Sequence, residues 1–204
     1  IFYQRIFDYF TAYYMKPCDV FIGQSPMHRY CLKYAKRKYN AVTILERGGL
    51  PAEIFGENMK NDPKLKGKPL YPQWLVRYET KGYLIADYIS VGAQHVKASL
   101  ISIGIDATKI FVNNYGFNSA FFSPTKITIS KPYDIILVGR WCYNKGSDLI
   151  TSACKRMGYR FLHVGCLLEP FPIMDNMHHI DSVLEKELLQ YYEKAKVFIL
   201  PSRA

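Results

Sequence analysis

Asp134-Ile135-Ile136-Leu137-Val138-Gly139-Arg140-Trp141-Cys142-Tyr143-Asn144-Lys145-Gly146-Ser147 is the stretch on which the fold turns. After Asp134, the residues Ile135–Val138 form an apolar run without alternation, the pattern of a strand buried on both faces of a parallel sheet. Gly139 lets the chain turn sharply off that strand. From Ser147 to Met157 the sequence has helical spacing, with Leu149, Ile150, Ala153, Cys154 and Met157 on one face and Ser147 placed as N-cap. Ligands of an open parallel sheet collect outside the carboxyl ends of its strands. Arg140 and Lys145 flank this turn, and two fixed cations beside a helix N-terminus suit a diphosphate. Two solvated charges on a surface loop have the same spacing.

The rhythm extends in both directions. Downstream, Tyr159–Val164, His178–Ile180 and Val197–Leu200 read as strands and Leu184–Lys194 as a helix. Upstream, residues 1–16 form an amphipathic helix through Phe2, Ile6, Phe10 and Tyr13, stopped by Pro17. Asp19–Gln24 is a strand; Ser25-Pro26 opens a basic helix to Lys38; the strand Ala41–Glu46 ends in Arg47-Gly48-Gly49. Residues 56–72 read as a long surface loop, then come the helix Gln73–Ala86, the strand Asp87–Val91, the helix His95–Ile103 and the strand Lys109–Asn113. A polar, proline-bounded stretch from Ser123 to Pro132 separates the two series and reads as an interdomain linker. The expected class is α/β, with two parallel sheets.

Composition limits the choice further. Of 204 residues, 49% are hydrophobic and 15% aromatic, which excludes a disordered chain. No apolar run reaches the ~18 residues of a membrane span. A net charge of +10 calls for an anionic partner: a phosphorylated ligand, a membrane face or nucleic acid. Arg29, Lys33 and Lys36 fall at i, i+4 and i+7 among Tyr30, Tyr34 and Tyr39, which fits a stripe facing an anionic membrane. A solvated helix face gives the same pattern, and no nucleic-acid-binding module is present.

Five cysteines at wide spacing form no disulfide framework and no zinc motif. Adjacent His178 and His179 point to opposite strand faces, so with His163 they read as structural rather than as metal ligands. His28 and His95, at helix starts, are weak candidates for general bases. Glu46, Glu53, Glu57 and Glu79 show no spacing that singles out an acid–base pair. No Asp-x-Asp motif occurs. The charge of a diphosphate bound at this turn would therefore be met by Arg140 and Lys145 rather than by a divalent cation held in such a motif.

Gly139-Arg140-x4-Lys145-Gly146 lies downstream of Asn114-x-Gly116-x-Asn118 and Phe122-x-Pro124, and the chain closes on Val197-Phe198-Ile199-Leu200-Pro201-Ser202. In that order and spacing these motifs resemble the retaining glycosyltransferases of family 4, over nearly the whole chain from about Asp19. The resemblance implies the GT-B architecture of two facing Rossmann-like domains. Residues 1–123 would be the later part of the acceptor-binding domain, 124–132 the linker, and 133–204 the first part of the donor-binding domain. It implies metal-independent transfer, with retention, from a nucleotide-diphosphate sugar to a glycan or lipid-linked acceptor, with no cofactor. Arg140 and Lys145 would meet the donor pyrophosphate beside Gly139. Gly165 and Val183 would offer backbone groups near the base, and Arg47, Asn114 and Gly116 would be further contacts.

The sequence departs from the family in places. Leu50-Pro51-Ala52 stands where many relatives carry a histidine, and Asn118 where they usually carry aspartate. A Gly-rich loop expected before residue 1 and acidic residues expected after Ala204 are missing, so a central fragment, inactive alone, is expected. The expected location is cytoplasmic, at most peripheral to the membrane. Two other functions fit the same reading: a sugar-nucleotide epimerase of the same architecture, and a non-catalytic nucleotide- or membrane-binding module.

Overall fold

The computed structural model describes residues 2–60, 62–64, 70–123 and 130–203. Two compact units divide the chain, Ile1–Tyr115 and Gly116–Ala204. The expected linker lies mostly in 124–129, outside the described residues.

The first unit runs α1 (Phe2–Tyr13), β1 (Val20–Gln24), α2 (Arg29–Tyr39), β2 (Val42–Arg47), α3 (Ala52–Asn58), α4 (Gln73–Ile85), β3 (Tyr88–Val91), α5 (Gln94–Ser102) and β4 (Ile110–Val112). Its strands pair in parallel in the order β1-β2-β3-β4, in registers such as Ile22↔Ile44, Leu45↔Ile89 and Val91↔Val112. Leu32, Leu45, Tyr83, Ile89, Leu100 and Ile110 form the buried core.

Two local expectations change here. The basic helix begins at Arg29, and Ser25 does not cap it. Asp8, buried on α1, accepts hydrogen bonds from the Tyr30 and Cys31 amides at 2.7 and 2.9 Å and from the Tyr78 hydroxyl at 2.8 Å. The cap of α2 thus comes from another helix, and it meets the same orphan donors that an N-cap side chain would. The second change is α3, which runs through Gly56 where a loop was expected. Pro51 precedes it, and the Glu79 carboxylate accepts the Ala52 amide at 2.7 Å. A buried anion from α4 therefore fixes the start of α3.

The second unit runs β5 (Tyr133–Val138), a 3-10 turn (Tyr143–Lys145), α6 (Ser147–Met157), β6 (Phe161–Val164), β7 (Met177–Ile180), α7 (Leu188–Tyr192) and β8 (Ala195–Phe198). All pairs are again parallel, but the order is β7-β6-β5-β8. Successive strands add on one side of β5 and the chain then returns to its other side. One face of this sheet packs Leu137, Phe161 and Met177 under α6 with Trp141, and the other packs Ile136, Leu162, Val164 and Ala195 under α7. Both faces are covered, as the apolar runs required.

Candidate functional site

The reversal of strand order at β5 is a topological switch point, where crossovers on opposite faces leave a crevice at the carboxyl ends of the strands. Here β5 is followed by Gly139 and β6 by Gly165, with φ of 134° and 146°, in a region closed to most side chains. The two backbones touch: a Cβ built on Gly165 would meet the Gly139 carbonyl carbon at 2.7 Å. The Gly139 amide donates to Val164 O at 2.9 Å and the Trp141 amide to Cys166 O at 2.9 Å. Trp141 is 1% exposed, lies among Phe161, His163 and Phe171, and donates its indole N–H to Pro170 O at 3.3 Å. Arg140 is thus an exposed residue between two anchored neighbours.

Lys145 ends the 3-10 turn, its amide bonded to Cys142 O at 2.9 Å. Gly146 follows with φ of 79°, so tight against Pro201 that a Cβ would meet Pro201 O at 2.5 Å. Gly146, not Ser147, occupies the N-cap position. Ser147 is the first helical residue, and its hydroxyl donates to Glu169 Oε2 at 2.9 Å. The Gly146 and Ser147 amides close onto Tyr143 O and Cys142 O within the turn. The side chains of Arg140 and Lys145 make no hydrogen bond or ion pair among the described residues, so both cations are available to an anion.

Two features of this edge escaped the sequence reading. Arg203 forks onto Asp148 at 2.9 and 2.8 Å, donates to Tyr143 O at 2.6 Å and stacks on the Tyr143 ring at 3.8 Å, tying the chain after β8 to the start of α6. Partial burial pushes the Asp148 carboxyl up, and the Arg203 guanidinium outweighs it and holds the group below the usual carboxylate range. The second feature is a histidine pair. His163 is fully buried on β6; its Nε2 lies 2.8 Å from Gly139 O and its Nδ1 2.9 Å from His179 Nδ1 on β7. Burial lowers the His163 pKa, the bond to Gly139 opposes that, and His179 adds to the lowering. His178 turns away toward Tyr133. No group of three or more His, Cys, Asp or Glu among the described residues is arranged to hold a metal ion.

The remaining candidates are scattered. Val183 is half-buried against the Ile136–Leu162 core. Asn114 and Gly116 are exposed beyond β4; Gly116 needs no left-handed backbone, and a Cβ there meets nothing. Arg47 is held on three sides: by Glu79 at 2.7 Å, by Gly49 O at 2.9 Å and by Leu50 O. In the basic helix, Arg29 lies 4.5 Å over the Tyr78 ring, and Lys36 is paired with Asp87 at 2.5 Å and bonded to Ile85 O. Lys33 and Arg37 are exposed beside Tyr30, Tyr34 and Lys38.

No family model matches the chain, and no curated protein matches it by sequence. Solved structures do match. Anabaena Alr3699/HepE, in complex with UDP and glucose, is 11% identical with a TM-score of 0.66 over 98% of this chain and 55% of that one. The lipopolysaccharide outer core galactosyltransferase WaaB, in its apo form, is 12% identical at 0.58, over 97% and 53%. The catalytic domain of starch synthase IV from Arabidopsis thaliana, bound to ADP and acarbose, is 13% identical at 0.57, over 98% and 55%. UDP-N-acetylglucosamine 2-epimerase from Rickettsia bellii is 12% identical at 0.50, over 93% and 52%. The fold is that of the GT-B glycosyltransferases, two Rossmann-like parallel-sheet units, and the chain spans about half the length of the structures it matches.

Proposed function

We propose that the chain is part of a retaining glycosyltransferase of the family 4 kind, taking a sugar from a nucleoside-diphosphate sugar to a glycan or lipid-linked acceptor. The observation that carries the reading is the pair Arg140 and Lys145, cations without described partners on a rigid turn at the switch point of the second sheet. As the bond between sugar and diphosphate breaks, negative charge grows on the leaving phosphate oxygens. Arg140 can fork onto two of them, and Lys145 supplies a compact second charge. Trp141 and Gly146 fix the two ends of the turn, so little reorganisation accompanies charge development. In this reading no divalent cation takes part.

Gly139, with no side chain, leaves room for the diphosphate, and Gly165 and Val183 border the base. Asn114, beyond the last strand of the first unit, and Gly116, the first residue of the second, are further proposed contacts. For Arg47 we favour a role in holding the Gly49–Leu50 turn, because Glu79 and two carbonyls take its donors.

The test is transfer from UDP-glucose by the full-length protein, with the product's anomeric configuration read by NMR. The reading expects the donor's configuration in the product and activity that survives EDTA. An inverted product, or a strict need for Mg²⁺ or Mn²⁺, would overturn it. The fold likeness to the epimerase keeps a second reading, in which UDP-N-acetylglucosamine is epimerised with no acceptor present. The same NMR experiment without acceptor separates the two.

We further propose that the acceptor is met at the cytoplasmic face of an anionic membrane, which the protein touches from outside. Among the described residues no helix is long and apolar enough to cross a membrane. Exposed Lys33, Arg37 and Lys38 lie beside the aromatic groove of Tyr9, Phe10, Tyr13, Tyr30 and Tyr34. Lys36, paired with Asp87, drops out of the stripe. Each exposed cation near such a surface adds ~1 kcal/mol. Removing Lys33 and Arg37 together should therefore weaken binding to phosphatidylserine vesicles roughly tenfold or more, and unchanged binding would exclude this face.

A further inference from the structure

His163 and His179 sit opposite one another in the β6–β7 register, and their ring nitrogens link the Gly139 carbonyl to solvent-exposed Asp181. A carbonyl oxygen only accepts, so His163 Nε2 carries a proton. Burial of His163 favours the neutral ring, which leaves its Nδ1 bare and accepting. His179 Nδ1, 2.9 Å away, must then donate. Its Nε2 lies 3.2 Å from Asp181 Oδ1, so the chain is complete when His179 carries both ring protons and faces the carboxylate. Among the described residues, the titratable groups facing the pair are each other and Asp181. The other rings against the pair are Trp141 from the loop and Phe171 from the segment before β7, both uncharged.

We propose that His163 and His179 are positioning residues for the Gly139–Arg140 turn, and that they hold it only while a single proton lies between their Nδ1 atoms. A second proton on His163 Nδ1 would set N–H against N–H and two cations side by side, with ring centroids 5.0 Å apart and no further carboxylate within the pair. The ring must then shift, and with it the carbonyl of the residue that precedes Arg140. The consequence for a ligand rests on the diphosphate reading above: affinity for a diphosphate falls as the solution turns acidic. Sequence alone could not show this, since the two histidines are 16 residues apart and only the strand register brings them together.

The test uses the full-length protein and two readouts across about pH 8 to 5, the range in which histidine titrates. Histidine ¹⁵N NMR is expected to give His163 as the neutral Nε2–H form at the upper end. The Gly139 and Arg140 amide shifts should move with the midpoint of the pair. Calorimetry with UDP-glucose, whose diphosphate has no group titrating in this range, should show affinity falling about two- to tenfold on acidification, the worth of one hydrogen-bonded contact.

His179→Phe keeps an aromatic ring but cannot share the proton, so both pH dependences should flatten. Should that variant fail to fold, Asp181→Asn at an exposed position should shift the acid loss to lower pH, because the doubly charged pair loses its counter-charge. Gly139 and Arg140 amides indifferent to the histidine titration would overturn the proposal. So would the same pH dependence in all three proteins. If the amides follow the histidines and UDP-glucose binds at no pH, the positioning stands and the donor reading falls instead.

Discussion

Arg47 and Arg140 each stand at the carboxyl end of a strand in a parallel sheet, one in each unit, and their surroundings are opposite. Arg47 closes β2 with its side chain 17% exposed, pinned to Glu79, which is itself 3% exposed. That carboxylate also accepts from Ser25 and from the Ala52 amide, so the arginine is one strut of a buried polar joint linking β2, α3 and α4. Arg140 lies two residues past β5, exposed, with no described partner, directly before the buried Trp141 and the 3-10 turn that follows it. A strand end alone therefore does not make an arginine a ligand contact. What decides is whether a buried carboxylate is within reach, and the sheet that reverses its strand order supplies none to Arg140.

The contrast makes opposite demands on two substitutions. Arg47→Ala leaves Glu79 as a buried charge without its partner, a loss that typically costs ~3–5 kcal/mol. A chemical-denaturation midpoint should fall accordingly. Arg140→Ala should leave that midpoint within about 0.5 kcal/mol of wild type, as surface changes do. In the full-length protein it should instead lower kcat for sugar transfer by ~10²–10³, about 2.7–4 kcal/mol, with a smaller rise in KM. Reversed outcomes, with Arg140→Ala unfolding the chain and Arg47→Ala abolishing transfer at full stability, would exchange the roles assigned to the two residues.

Gly165→Ala probes the contact beneath Arg140. A side chain at φ of 146° is strained, and its Cβ would strike the Gly139 carbonyl, so destabilisation of ~1–3 kcal/mol is expected on thermal melting. Gly116→Ala, at an unstrained and open position, should instead stabilise by about 0.4–1 kcal/mol, through the lower entropy of the unfolded chain.

The smallest effect is the pH dependence of stability. The His163 pKa is held below its ordinary 6.5 in the folded state. The unfolded chain then binds more protons in the window between the two values. Stability should fall as pH drops from about 6.5 and level off below the folded pKa. His163→Phe should remove that segment of the curve, and an unchanged pH profile in this variant would show that the proton uptake lies elsewhere.

The alternation of strand and helix was legible from apolar runs and breaker residues, because both signals are local. β5 with its turn and α6 fell within a residue of expectation, and the N-cap at Gly146 in place of Ser147 is a shift of one position. The errors are larger where the deciding partner is distant. The start of α2 depends on Asp8, over twenty residues earlier, and α3 survives Gly56 because Glu79 reaches back to its first amide. Glu79 did leave a trace, since it lies four residues before buried Tyr83 on the inward face of α4. Arg203 and Asp148 are 55 residues apart, and no spacing rule reports such a pair. At the candidate site the turn and its two cations were readable from residue types. The supports beneath them, Trp141, His163 and Pro201, depend on register and packing.

The Asp8 cap also gives α1 a clock. Tyr30 and Cys31 direct their amides at a carboxylate on another helix, so those two hydrogens are shielded only while α1 stays docked. The Cys31 thiol shares that shelter, donating to the Asp8 carbonyl at 3.0 Å, and burial, then the bond to Asp8 and its charge, push its pKa upward. A thiol so placed is a poor nucleophile until the helix lifts. Labelling of Cys31 by a small alkylating reagent, timed against exchange at Tyr30, would therefore count how often α1 leaves α2. If the two rates agree, a single opening motion governs both, and its free energy follows from their ratio to an unprotected control.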